Sequence, residues 1–267
     1  MVPSEPFFSL SLSVTYGKRA AVFRDLTLEM RRGEILGLVG GSGCGKSTLA
    51  LAILRLLDTK GATASGSIHF KGRDLLSLPE RQMRRVRGRE IALVLQSPSS
   101  ALNPMLRIGR QMREAWRAHR EDSRGEAEIA RSLQRVDLPH GLDFLKRYPS
   151  EISIGQAQRV MIAMAMLHGP DLLIADEPTS ALDAITQVGT LELFRDINKQ
   201  SGSSILLISH DLAAVESICD RIAVLYEGKI VECGTVEEMF SEPSHPYTRA
   251  LFHGRRQTAA VAAGRCR

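Results

Sequence analysis

Nowhere in the 267 residues is there an apolar run of about 18, the length a helix needs to cross a bilayer. The longest candidate, Val160 to Leu167, stops at His168-Gly169-Pro170, so no membrane-spanning helix is expected. Met1-Val2-Pro3-Ser4-Glu5 lacks the basic n-region and long apolar core of an export signal, and none is expected. Cysteine is sparse: Cys44, Cys219, Cys233 and Cys266 show no CxxC spacing. That argues against a disulfide framework or zinc site and favours a reducing cytoplasm. No internal repeat is visible. The basic run Arg81, Arg84, Arg85, Arg87, Arg89 lacks the interleaved aromatics that stack bases. It reads as a solvated helix face beside a nucleotide or membrane surface.

What is present is ordinary globular material, 43% hydrophobic and 24% charged, with a net charge of +5. Such weak basicity suits nucleic acid or an anionic membrane, and a plain solvated surface equally well. Phe8 to Val14 alternates strictly and predicts a half-buried strand, and Leu26 to Met30 a second. Ile35 to Val39 is an apolar run of the kind buried on both faces of a parallel sheet. A helix is expected over Lys46 to Leu57, a loop over Gly61 to Gly66, and strands over Ser67 to Phe70 and Ile91 to Leu95. From Ser97 to Met166 the pattern is helical and polar. Strand signals return at Leu172 to Ala175, Ile205 to Ser209 and Ile222 to Tyr226. Strands alternating with helices predict an α/β fold with a mainly parallel sheet core, an N-terminal antiparallel β layer and an all-helical insert. The expected division is 1–96 with 167–245 as the core, 97–166 as the helical subdomain and 246–267 as a tail. Met161, Met164 and Met166 read as core packing.

Two motifs carry chemistry. Gly40-Gly41-Ser42-Gly43-Cys44-Gly45-Lys46-Ser47-Thr48 fits G-x-x-x-x-G-K-[ST] between a predicted strand and helix. Glycines let backbone N–H groups turn toward phosphate oxygens, and the helix N-terminus adds favourable partial charge. Lys46 is then the partner of the β- and γ-phosphates and Ser47 a ligand of Mg²⁺. Asp176 and Glu177 follow the apolar run Leu172 to Ala175, at the sheet edge where ligands bind. Asp176 is the expected holder of Mg²⁺ through water and Glu177 the group that orients or deprotonates the attacking water. Asp-Glu-Pro-Thr also suits a helix start. With the phosphate loop, the catalytic reading is preferred.

Further elements lie in register with these: Gln96 at a strand end, Ile152-Ser153-Ile154-Gly155-Gln156, Ser180-Ala181-Leu182-Asp183, and Ile208-Ser209-His210-Asp211. The series, from about Leu10 to Phe252, resembles the ATP-binding subunits of ABC transporters, P-loop NTPases of the ABC ATPase fold. The resemblance implies ATP and Mg²⁺ as cofactors and assigns roles residue by residue. Tyr16 stacks on adenine. Gln96 senses Mg²⁺ and the attacking water and leads into the segment that meets the membrane subunits. Ser153, Ile154, Gly155 and Gln156 form the signature that reaches the γ-phosphate held by a partner. Asp183 bridges the two sites, and His210 contacts the γ-phosphate.

Gln96-Ser97-Pro98-Ser99-Ser100-Ala101-Leu102-Asn103-Pro104 and His245-Pro246-Tyr247-Thr248-Arg249-Ala250-Leu251 look like importers of oligopeptides, dipeptides and nickel or metal chelates. Membership there implies a peripheral subunit on the cytoplasmic face of a bacterial inner membrane. Its partners are a second ATPase of a different chain, two permeases and an external binding protein, with no nucleic acid. Peptide is the first choice of cargo and nickel or another metal chelate the alternative. A soluble ABC ATPase outside transport remains the competing class, as does a poorly hydrolysing regulatory subunit. Only Cys266 lies where some relatives carry a cysteine-rich tail, so an iron–sulfur site is not supported. The signature departs from Leu-Ser-Gly-Gly-Gln at Ile154, where glycine is usual. If that position requires positive φ, the cost is on the order of 1–2 kcal/mol, and the chain contributes the weaker signature half of a heterodimer; a tolerated helix-start substitution, with Ser153 and Gly155 kept, is the equal alternative. The tail arginines Arg255, Arg256, Arg265 and Arg267 are candidates for loose contact with anionic lipid.

Overall fold

In the computed structural model of the protein, residues 6–17, 21–57, 61–120 and 125–252 are described. Arg255, Arg256, Arg265, Cys266 and Arg267, with most of the expected tail, lie outside them. The chain forms β1 (Phe8–Tyr16), β2 (Ala21–Met30), β3 (Ile35–Gly40), α1 (Lys46–Ile53), β4 (Ala62–Phe70) and β5 (Arg73–Asp74). Then come α2 (Glu80–Val86), β6 (Ile91–Val94), α3 (Pro98–Ala101), α4 (Ile108–Arg117), α5 (Gly125–Arg135), α6 (Leu142–Leu145) and α7 (Ile154–Met166). The last elements are β7 (Leu172–Asp176), α8 (Ala184–Ser201), β8 (Ser204–Ile208), α9 (Leu212–Ile218), β9 (Arg221–Tyr226), β10 (Lys229–Thr235) and α10 (Val236–Ser241). Two compact units result, one of Met1–Leu78 with Leu206–Arg267, the other of Pro79–Ile205.

In the first unit a four-stranded antiparallel sheet runs β2-β1-β4-β5. The alternation of Phe8, Leu10, Leu12 and Val14 turns one face of β1 inward, and all four are buried. The same unit holds strands in the order β10-β9-β3-β8. There β3 and β9 are parallel and β9 and β10 antiparallel. Every residue of β3 is buried, as its unbroken apolar run requires. Helix α9 packs so closely that a Cβ on Gly37 would come within 2.6 Å of Val215 Cγ1.

The second unit has the order β8-β7-β6, with β6 and β7 parallel, and the division falls inside β8. Between residues 97 and 166 the elements are all helical among the described residues. In α4, Ile108, Met112 and Trp116 repeat at i, i+4, i+8 and are all buried, the single face such spacing produces.

Two local expectations are corrected, and one strand goes without a sequence signal. The expected loop at Gly61 to Gly66 is largely strand, because β4 pairs with β1 from Tyr16↔Ala62 to Phe8↔Phe70. Gly66, at φ +116°, makes this possible: a Cβ there would lie 2.1 Å from the Ser11 carbonyl oxygen. The helix expected to reach Leu57 ends at Ile53, since Arg55 turns left-handed at φ +51°. Strand β10 carries no alternating apolar signal, being an edge strand of half-buried and exposed residues.

Candidate functional site

In the first unit the phosphate loop joins β3 to α1. Gly45 caps the helix at φ +105°, and a Cβ there would meet the Phe23 ring at 2.7 Å. A Cβ on Gly40 would lie 2.3 Å from the Leu225 carbonyl oxygen. Gly45 is therefore demanded by close approach as well as by conformation, and Gly40 by close approach alone. Lys46 is only 7% exposed. Its Nζ donates to the Gly40 carbonyl at 2.9 Å and the Gly41 carbonyl at 3.0 Å, so the ammonium is pinned over the loop. Ser47 is exposed at the first turn of α1, and Tyr16 Oη lies 3.4 Å from Thr48 Oγ1, at the same helix start. His210 follows β8: Ser209 N–H donates to the Leu38 carbonyl of β3, and Asp211 N–H donates to Ser209 Oγ. Asp211 then caps α9 by accepting from Ala213 N–H at 2.8 Å.

One contact of this loop has no local sequence signal. The Gly41 N–H donates to Tyr247 Oη at 2.9 Å, across 206 residues. In the sequence Tyr247 stands out only as part of the segment His245 to Leu251. Nothing short of the fold brings it to the loop.

In the second unit β7 delivers Asp176, 8% exposed, at the strand's end. Glu177 follows at φ +46°, a conformation rare for a non-glycine residue and typical of constrained sites. Gln96 Nε2 donates to Glu177 Oε2 at 3.1 Å, which joins two residues singled out separately in the sequence. Ser180 donates to the Glu177 carbonyl through both its N–H and its hydroxyl, closing the turn that leads to Asp183. Asp183 is the N-cap of α8. Its carboxylate accepts from the N–H groups of Ile185 and Thr186 and from Thr186 Oγ1, at 3.1, 3.0 and 2.6 Å. The Thr186 hydroxyl above all holds the Asp183 carboxyl below the usual aspartate range.

Ser153 caps α7 with a reciprocal box: its Oγ accepts from Gln156 N–H, and its own N–H donates to Gln156 Oε1, both at 3.2 Å. Ile154 is the first residue of that helix and does not have positive φ. The conditional backbone penalty at Ile154 is thereby removed. The glycine that matters sterically is Gly155, whose added Cβ would press on Thr186 Cγ2 at 2.7 Å. Ile154 itself is 60% exposed, and Ile185 and Val188 on the first turns of α8 are 87% and 55% exposed.

Within the first unit the glycine loop with its buried Lys46 suits a phosphate chain, and Ser47 offers a hard oxygen donor of the kind that magnesium prefers. Within the second unit Gln96 and Asp176 offer donors of the same kind.

A family model described as ABC transporter matches residues 23–180. A probable peptide ABC transporter ATP-binding protein of Sinorhizobium fredii is 47% identical over 85% of this chain and 69% of its own length. A dipeptide transport ATP-binding protein of Bacillus subtilis is 42% identical over 89% of this chain and 72% of its own. A glutathione import ATP-binding protein of Escherichia coli is 42% identical over 91% of this chain but only 40% of its own length. Among solved structures, a Clostridium perfringens subunit of an ABC transporter complex superposes with TM-score 0.77 at 24% identity, covering 89% of this chain and 91% of that one. A dimeric ATP-binding cassette bound to ADP and phosphate gives 0.73 at 24% identity, covering 86% and 98%. At that identity the structures show the fold, and the family model and the closer sequences carry the assignment: the chain belongs to the ABC transporter family, as one of its ATP-hydrolysing subunits.

Proposed function

We propose that this ATPase energises import of peptides, with MgATP as its substrate. The observation that carries the hydrolytic reading is the Gln96 amide on the Glu177 carboxylate, directly after the buried strand that delivers Asp176. A carboxylate held by a neutral donor keeps its aim, which is what positioning a water for attack requires.

The remaining roles follow from what each group can do. Lys46 supplies a fixed positive charge to the phosphate chain, and the N–H groups at the start of α1 supply partial charge. Ser47, Gln96 and Asp176 hold Mg²⁺, which when bound neutralises charge developing on the transferred phosphoryl group. Glu177 orients the attacking water, His210 contacts the γ-phosphate and Tyr16 stacks on adenine. Ser153, Ile154, Gly155, Gln156 and Asp183 serve the nucleotide of a partner ATPase. The exposed Ile154, Ile185 and Val188 support a covered face there.

The assembly we infer is a second ATPase, two permeases and an external binding protein, with this chain peripheral on the cytoplasmic face of the inner membrane. No helix among the described residues is long and apolar enough to cross a membrane. Peptide is favoured as cargo by the names of the peptide and dipeptide relatives.

The test is Glu177→Gln. Wild type should hydrolyse MgATP. The variant should bind it, lose hydrolysis and form a dimer trapped by ATP on size-exclusion. A variant that turns over ATP at the wild-type rate would remove Glu177 from the mechanism.

A further inference from the structure

Gly41 is gripped at both its polar groups. Its carbonyl accepts from Lys46 Nζ at 3.0 Å, and its N–H donates to Tyr247 Oη at 2.9 Å. The Gly40 carbonyl, which shares a peptide unit with the Gly41 N–H, also accepts from Lys46 Nζ, at 2.9 Å, so a peptide that Lys46 leans on is itself held by a side chain 206 residues away in sequence. A Cβ on Gly41 would approach Tyr247 Oη to 3.2 Å, so the glycine also clears room for the hydroxyl.

Tyr247 is placed from two directions. Its ring stacks on Tyr226, with centroids 4.0 Å apart and planes 23° from parallel. Tyr226 ends β9, the strand whose Leu225 pairs with Gly40, so the stack sits where β3 runs into the loop. The backbone before Tyr247 is clamped by Glu232 of β10, whose two oxygens accept from Ser244 N–H at 2.6 Å and His245 N–H at 3.0 Å. Burial pushes the Glu232 carboxyl up, but the hydrogen bonds it accepts outweigh that and hold it below the ordinary range, so the clamp is an anion at neutral pH. His245 Nδ1 accepts the Tyr247 N–H at 3.2 Å, completing a short chain of bonds from β10 to the phosphate loop.

We propose that Tyr247 is a positioning residue for nucleotide binding, its hydroxyl fixing the Gly41 peptide and through it Lys46, with Glu232 holding Tyr247 in place. A bare aromatic at position 247 could stack on Tyr226 but could not hold the peptide. The interaction orders the loop before nucleotide arrives, which lowers the entropy lost on binding. This rests on the reading of residues 40–48 as the nucleotide site.

The experiment uses the full chain and follows MgATP binding together with the melting midpoint without nucleotide. Tyr247→Phe keeps the ring and removes the hydroxyl. It should bind MgATP about 2- to 10-fold more weakly, the range of one ordinary hydrogen bond, with the nucleotide-free midpoint nearly unchanged and kcat retained as KM rises. Glu232→Ala should weaken binding in the same range, and the double variant should be no weaker than the worse single one, as expected of groups acting in series. Lys46→Ala marks complete loss. Wild-type binding with Tyr247→Phe equal to it would overturn the proposal. So would fully additive losses in the double variant, for the Glu232 part. A wild-type chain that fails to bind MgATP would overturn the nucleotide-site reading and this one with it.

Discussion

Replacing Gly155 with alanine tests whether the signature helix and the Asp183 turn form one mechanical piece. Helix propensity alone favours alanine inside a helix by up to about 1 kcal/mol, so the isolated expectation is a gain. The structure opposes it. The new Cβ would sit 2.7 Å from Thr186 Cγ2, well inside ordinary carbon–carbon contact of about 3.5–4.0 Å. Thr186 has little freedom to retreat, because its N–H and hydroxyl both bond to Asp183. Turning the side chain forfeits the hydroxyl bond, and shifting the backbone disturbs the cap of α8. Overpacking of this kind costs about 1–3 kcal/mol, and with the upper part of that range set against the propensity gain the net loss should be up to about 2 kcal/mol. At about 2–4 °C per kcal/mol for a chain of this order of size, thermal unfolding reads it directly. Thr186→Ser removes Cγ2 but keeps the hydroxyl, and it should cost under about 1 kcal/mol for one methyl group. In the Gly155→Ala/Thr186→Ser pair the clash disappears and most of the loss should be recovered. A Gly155→Ala protein as stable as wild type, or a pair no better than the sum of its parts, would refute the contact.

Ile154→Gly should lower the melting midpoint slightly through helix propensity and leave ATP turnover unchanged in the assembled transporter, since Ile154 has no positive φ to relieve. A rise of about tenfold, 1.4 kcal/mol in barrier, would show that Ile154 does hold the signature back. Asp183→Asn should destabilise most at neutral pH: a depressed carboxyl contributes stability above its unfolded value and loses it as pH falls through the lowered folded value. Melting curves of the two proteins should therefore converge in acid, and a constant gap would deny the cap its charge. Gly66→Ala, at φ +116° and facing the Ser11 carbonyl, should cost at least about 2 kcal/mol, read as a lower midpoint.

Local chemistry made the machinery legible. Strands β3, β7 and β8 announce themselves because a strand buried on both faces is an almost unbroken apolar run; the phosphate loop follows β3, and the acid pair straddles the end of β7. Capping is equally local: the visible bonds of Ser153 and Asp183, both singled out in the sequence, serve helix ends. What stayed hidden depends on partners far off in sequence. The identity of a glycine does not say what presses on it: Gly45 answers to Phe23, Gly66 to Ser11 and Gly155 to Thr186. Ile154 is the opposite case: the sequence leaves strain and a tolerated helix start both open, and the backbone, with Ile154 opening the helix and no positive φ, takes the second. Tyr247 is the extreme case, because a hydrogen bond across 206 residues leaves no periodicity or spacing to find. A loop this rich in glycine pays for its freedom in order, and here Phe23, Leu225, Lys46 and Tyr247 restore that order from separate parts of the fold, so the phosphate loop is a composite structure even though its motif is contiguous.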